Sequence, residues 1–99
     1  MPKLVFTYEQ AVELLPVVRR ITASAVERVD AIATEDPGQY QHVVTEWARE
    51  ILALGLEVKG VWLVDFDSGA GYYCWRHPEQ ALEYFHGYDE GFTGRVKLN

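Results

Sequence analysis

Hydrophobic positions recur along this chain with two periods, and the change from one to the other divides it. Ala11, Leu14, Val18, Ile21, Ala25, Val29 and Ile32 are spaced by threes and fours, which places them on one stripe of a long helix. Arg19, Arg20, Glu27, Arg28 and Asp30 fill much of its polar side. Thr7 and Gln10 fit a capping box that starts this helix near Tyr8, with Phe6 placed to pack on Ala11. Pro16 has no N–H and clashes with the carbonyl four residues back, so a kink is expected after the first two turns. Asp36-Pro37 is a second start signal, and Tyr40, Val44, Trp47, Ile51 and Leu54 form a second seam that Gly55 closes. The two segments predict an antiparallel helical hairpin over 8–54, its first helix overhanging the second by roughly 12 Å.

From Val58 the period falls to two. Val61 to Phe66 and Tyr72 to Arg76 are rich in β-branched and aromatic residues, and Asp67-Ser68-Gly69-Ala70-Gly71 between them is hairpin-loop chemistry. A hairpin symmetric about Gly69 puts Trp62, Val64 and Phe66 on one face with Tyr72, Cys74 and Arg76. Leu63, Asp65, Tyr73 and Trp75 then take the other face, so both are apolar. His77 to Gln80 makes a second turn, and Leu82 to His86 a third strand. The short apolar run Lys3 to Phe6 reads as a terminal strand or a staple, and 87–99 as a glycine-rich loop and tail. The expectation is one α+β domain over 1–99, a long kinked helix and a shorter one packed on a three-stranded antiparallel β-meander over 58–86.

Composition narrows the function classes. With 15 acids against 9 bases and a net charge of -6, the surface repels phosphate backbones, which argues against nucleic acid as a partner. No apolar run approaches the roughly 20 residues of a membrane span, and Met1 to Phe6 is too short for a secretory signal, so a cytoplasmic protein with no membrane partner is expected. The lone Cys74 allows neither an internal disulfide nor a multi-cysteine zinc clamp.

L-V-F-T-Y-E-Q-A-V-E-L-L-P-V-V at the start, L-V-D-F after the helices, C-W-R in the next strand and Y-F-H-G-Y-D-E-G-F-T-G-R at the end resemble a small bacterial domain family of unknown function, DUF2203. The resemblance spans nearly the whole chain. Members tend to carry F-T-x-x-x-A-x-x-L-L-P, L-V-D-F, C-W-R-x-G-E and W-H-x-x-x-E-G-F-x-G-R. This chain has His77-Pro78-Glu79 at the x-G-E turn, Phe85 before His86, and a shorter helical hairpin. The resemblance implies a fold and a motif set; it brings no established activity.

Chemistry-bearing residues concentrate between Val61 and Arg95, which hold nine of the thirteen aromatics. His86, Asp89 and Glu90, with Asp65 or Asp67 approaching across the sheet, form a nitrogen and oxygen donor set that a divalent metal could use, although no spaced metal motif is present. Cys74 in mid-strand reads as a small buried hydrophobe rather than a nucleophile. Gly91-Phe92-Thr93-Gly94-Arg95 offers N–H groups and a guanidinium to an anion, or lets Arg95 pin the loop through Asp65, Glu83 or Glu90. Asp65, flanked by Val64 and Phe66, needs a partner, for which Arg76 and Arg95 are the candidates. Two helices cannot cover both faces of so apolar a sheet, which favours a homodimeric interaction module without catalysis. The competing expectation is a ligand-, anion- or metal-binding domain or enzyme with a pocket lined by Asp65, Arg76, His86, Glu90 and Arg95.

Overall fold

The computed structural model describes residues 4–32 and 36–98, so Lys3 and the turn between the helices lie outside the described residues. Helix α1 runs Tyr8–Asp30, with Thr7 accepting from the Gln10 N–H and the Gln10 side chain returning a bond to the Thr7 N–H, as the capping box predicts. It continues through Pro16 as a single element. Helix α2, Pro37–Ala53, starts on Asp36, whose carboxylate accepts the Gln39 N–H. Gly55 beyond it takes φ 85°, the left-handed region that glycine enters without a Cβ clash.

Trp47 Nε1 donates to Thr22 Oγ1 at 2.9 Å, and Arg28 pairs with Glu46 further along, so later residues of α1 meet earlier residues of α2 and the pair is antiparallel. Full burial falls on Ala11, Leu15, Val18, Thr22 and Ala25 of α1 and on Val43, Trp47 and Ile51 of α2. The seam of α2 therefore runs through Val43 rather than Val44, and Tyr40 is exposed.

The sheet has five strands, not three: β1 Glu57–Gly60, β2 Leu63–Asp67, β3 Tyr72–Arg76, β4 Tyr84–His86 and β5 Val96–Lys97, in that spatial order and antiparallel throughout. Two features hid the extra strands. The apolar run around Val61 is broken by a tight turn in which Trp62 adopts φ 63°. That turn sets its ring edge-on against Trp47, centroids 4.9 Å apart. The tail returns as a two-residue strand on β4, where Phe85 faces Val96. Among the described residues the run ending at Phe6 adds no strand; the Phe6 N–H donates to the Asp67 carbonyl at 2.7 Å.

The β2–β3 register decides the rest. Asp67 faces Tyr72 across the four residues Ser68 to Gly71, giving Phe66 opposite Tyr73, Asp65 opposite Cys74 and Val64 opposite Trp75. This is one residue away from a hairpin centred on Gly69, and a slip of one exchanges faces along a whole strand. Val64, Phe66, Tyr73 and Trp75 therefore share the face that packs on the helices. Leu63, Asp65, Asp67, Tyr72, Cys74 and Arg76 share the other. That second face is polar rather than apolar, and Asp65, Asp67 and His86 on it are 0%, 3% and 3% exposed.

Candidate metal centre

Segment 87–95 folds back over this polar face. Glu90 Oε1 accepts the Gly87 N–H at 2.8 Å, and Gly94 N donates to the Gly91 carbonyl in the 3-10 turn Phe92–Gly94. The Phe92 ring sits beneath the guanidiniums of Arg76, at 5.4 Å, and Arg95, at 4.1 Å. Arg95 also stacks on Tyr84 at 3.8 Å and forks onto both Glu79 oxygens, one at 3.1 Å. The roof thus hangs on cation–π contacts and one bidentate ion pair.

Under it, three neighbouring strands each contribute one donor. Cys74 comes from β3, Asp65 lies directly across from it on β2, and His86 stands opposite Tyr72 on β4, two residues along. One ligand atom from each lies within 4.8 Å of the others, and all three residues are buried. His86 Nε2 is 2.8 Å from Asp65 Oδ2, and Nδ1 is 2.9 Å from the Gly87 carbonyl. A carbonyl oxygen can only accept, so Nδ1 carries a proton, and a second proton lies between Nε2 and the Asp65 oxygen. The second Asp65 oxygen, Oδ1, meets no N–H or O–H donor among the described residues although the side chain is wholly buried. Beside His86, the Cys74 thiol hydrogen-bonds the Asp65 carboxyl, and a thiol is a weak donor.

Burial raises the Asp65 carboxyl above its usual range, against the lowering influence of His86. The Cys74 thiol is pushed up to about 12, first by burial and then by the Asp65 charge beside it, with Arg95 Nη1 at 3.9 Å from Sγ opposing. A thiol held protonated in this way is a poor nucleophile. The three donors open on a cavity of about 260 Å³ bounded also by Lys59, Tyr72, Tyr88, Glu90 and Phe92.

Of the residues singled out in the sequence, Asp65, His86 and Glu90 line this cavity together. Arg76 and Arg95 do not: Arg76 is exposed, and Arg95 holds Glu79 rather than Asp65, Glu83 or Glu90. The partner of Asp65 is His86, not an arginine. Asp89 is exposed beside an exposed Glu90, while among the described residues the group able to hold a metal is Asp65, Cys74 and His86. Sequence reasoning missed Cys74 as a donor and Glu79 as the arginine's partner. The length of the β2–β3 loop carried the first signal, because it alone sets which residue faces Asp65.

Fold and site together define an α+β domain with helices on one side of an antiparallel sheet and a roofed polar cluster on the other. Residues 34–98, about two thirds of the chain, match the family described as Uncharacterized conserved protein (DUF2203), and the chain belongs to it. No curated protein and no solved structure matches the chain. Among the described residues no helix is long and apolar enough to cross a membrane.

Proposed function

We propose that the domain binds one divalent transition-metal ion of the zinc class through Asp65, Cys74 and His86. The observation that carries this reading is the donor set itself: a carboxylate, a thiol and an imidazole from three adjacent strands, buried and mutually within 4.8 Å. Nitrogen, oxygen and sulfur donors together suit zinc, and three protein ligands leave a fourth position, here towards the cavity. The Nδ1–H bond to Gly87 is the outer contact that fixes a metal-binding imidazole with Nε2 as its donor.

Charge balance supports the same conclusion. Without metal the cluster is neutral, one proton shared between Asp65 and His86 and one on Cys74. A dication that displaces both leaves carboxylate, thiolate and neutral imidazole around it, again with no net charge. The exchange therefore avoids the cost of leaving a bare charge in the interior, and it gives Asp65 Oδ1 a partner that no N–H or O–H among the described residues supplies. Donors around a tetrahedral zinc stand about 3.5 Å apart, so Asp65 and His86 must separate by somewhat under about 1 Å.

The test is metal content of protein purified without an affinity tag or chelator, with cobalt substitution as the optical probe. One zinc per chain is expected, and the cobalt form should show a thiolate-to-metal charge-transfer absorption that Cys74→Ser abolishes. Folded protein that takes up neither ion in stoichiometric amount would sink the proposal.

A further inference from the structure

A second concave region lies on the opposite side of β3, between α1 and the turn from β3 towards β4. It has a volume of about 350 Å³ and is lined by Pro16, Arg19, Arg20 and Ala23 from the helix and by Trp75 and 77–80 from the sheet side. Eight basic side chains fall among the described residues. Arg28, Lys59, Arg95 and Lys97 have carboxylate partners, whereas Arg19, Arg20, Arg49 and Arg76 have none among the described residues. Two of those four unpaired guanidiniums are therefore adjacent and line one groove of a protein whose net charge is -6.

The groove is prepared for an anion. Arg19 is steadied by Nη2 donating to Gln80 Oε1 at 2.9 Å, which leaves further N–H groups of its fork to a ligand. Glu79 is the one carboxylate in the lining, and Arg95 grips both of its oxygens from the far side, so its charge is answered before any ligand arrives. The wall is made of rings: Pro16, Pro78 and His77, the last set edge-on at 6.3 Å against Trp75, which is wholly buried behind it. Planar guanidinium forks match phosphate oxygens two at a time, and a flat wall suits an aromatic body.

We infer that this groove binds a small aromatic phosphate monoester, its phosphate on Arg19 and Arg20 and its ring along the wall of His77 and the prolines. The site is independent of the metal centre, which lies across the sheet and shares no lining residue with it.

The experiment is a titration of the full chain at low salt followed by ¹H–¹⁵N NMR, with phenyl phosphate, inorganic phosphate and benzoate as separate probes. The reporter is the Trp75 indole N–H, which donates to the Glu79 carbonyl at 2.8 Å in the groove wall. Phenyl phosphate should shift it and bind at least about tenfold more tightly than either other probe. Arg19→Gln with Arg20→Gln should weaken binding by a further factor of ten or so while zinc content is unchanged. Added salt should weaken it as well, since both charges face water. Equal weak binding of all three probes, or phenyl phosphate binding untouched by the double substitution, would overturn the assignment. So would the absence of any groove shift at about 10 mM phenyl phosphate, a concentration that reveals even millimolar affinity.

Discussion

At the scale of single residues, the protons held by Asp65, Cys74 and His86 set two measurable behaviours. With its thiol raised to about 12, Cys74 in the metal-free protein is thiolate to only about one part in 10,000 at pH 8. Iodoacetamide at that pH should therefore leave Cys74 unmodified in the native chain and alkylate it within minutes in urea, by intact mass. Metal uptake runs the other way with pH. Each bound dication expels two protons, so apparent zinc affinity should fall about a hundredfold per unit of acidification while the metal-free cluster still holds both. His86→Gln removes one exchange partner and should roughly halve that slope in a competition with a chromophoric chelator, as well as weakening binding.

Between elements, the buried Trp47–Thr22 hydrogen bond joins the two helices where no water reaches. Thr22→Val keeps the shape and strands the indole N–H, which should cost about 1–3 kcal/mol, read as a lower urea midpoint with an unchanged m-value. The β2–β3 loop is a more exacting joint. Ser68 N and Oγ both reach the Gly71 carbonyl, at 2.8 and 2.9 Å, and Asp67 accepts the Gly69 N–H at 2.8 Å. A Cβ on Gly71 would stand 2.8 Å from the His86 carbonyl oxygen. Gly71→Ala should therefore loosen β4 from β3 and cost zinc affinity as well as stability, by calorimetry on one sample. This loop is also where the sequence stopped being informative. Helix starts at Thr7 and Asp36 and the stop at Gly55 were legible because capping chemistry is local. Alternation along β2 and β3 was legible too. Which member of each alternating pair faces Asp65 was not, since that depends on a four-residue loop rather than on any residue within the strands. Glu79 was invisible for the opposite reason: its partner Arg95 is 16 residues away and meets it only after the tail folds back.

For the molecule as a whole, the register removes the apolar second face on which self-association was expected to rest. Tyr73 and Trp75 are turned towards the helices, and the roofed side carries Asp65, Asp67 and His86. Large aliphatic side chains still reach solvent at Leu4, Val5, Val12, Leu52, Val61 and Val96, none of which lines the roofed cavity. Sedimentation at micromolar concentration should accordingly give a single 11.3 kDa species. A metal bound as proposed would then take on the structural part expected of a partner chain. A domain of 99 residues builds one modest core, and its outer sheet face is held by a cluster in which a buried carboxylate oxygen has no N–H or O–H donor among the described residues. An ion that ties β2, β3 and β4 together binds the folded chain and finds no assembled site in the unfolded one. Free zinc at a hundred times its dissociation constant should add about 2.7 kcal/mol, which for a domain of this size is a rise in melting temperature of about 10–20 °C. Cys74→Ser should melt at one temperature with or without zinc, whereas Arg20→Gln, on the other side of the sheet, should keep the whole shift.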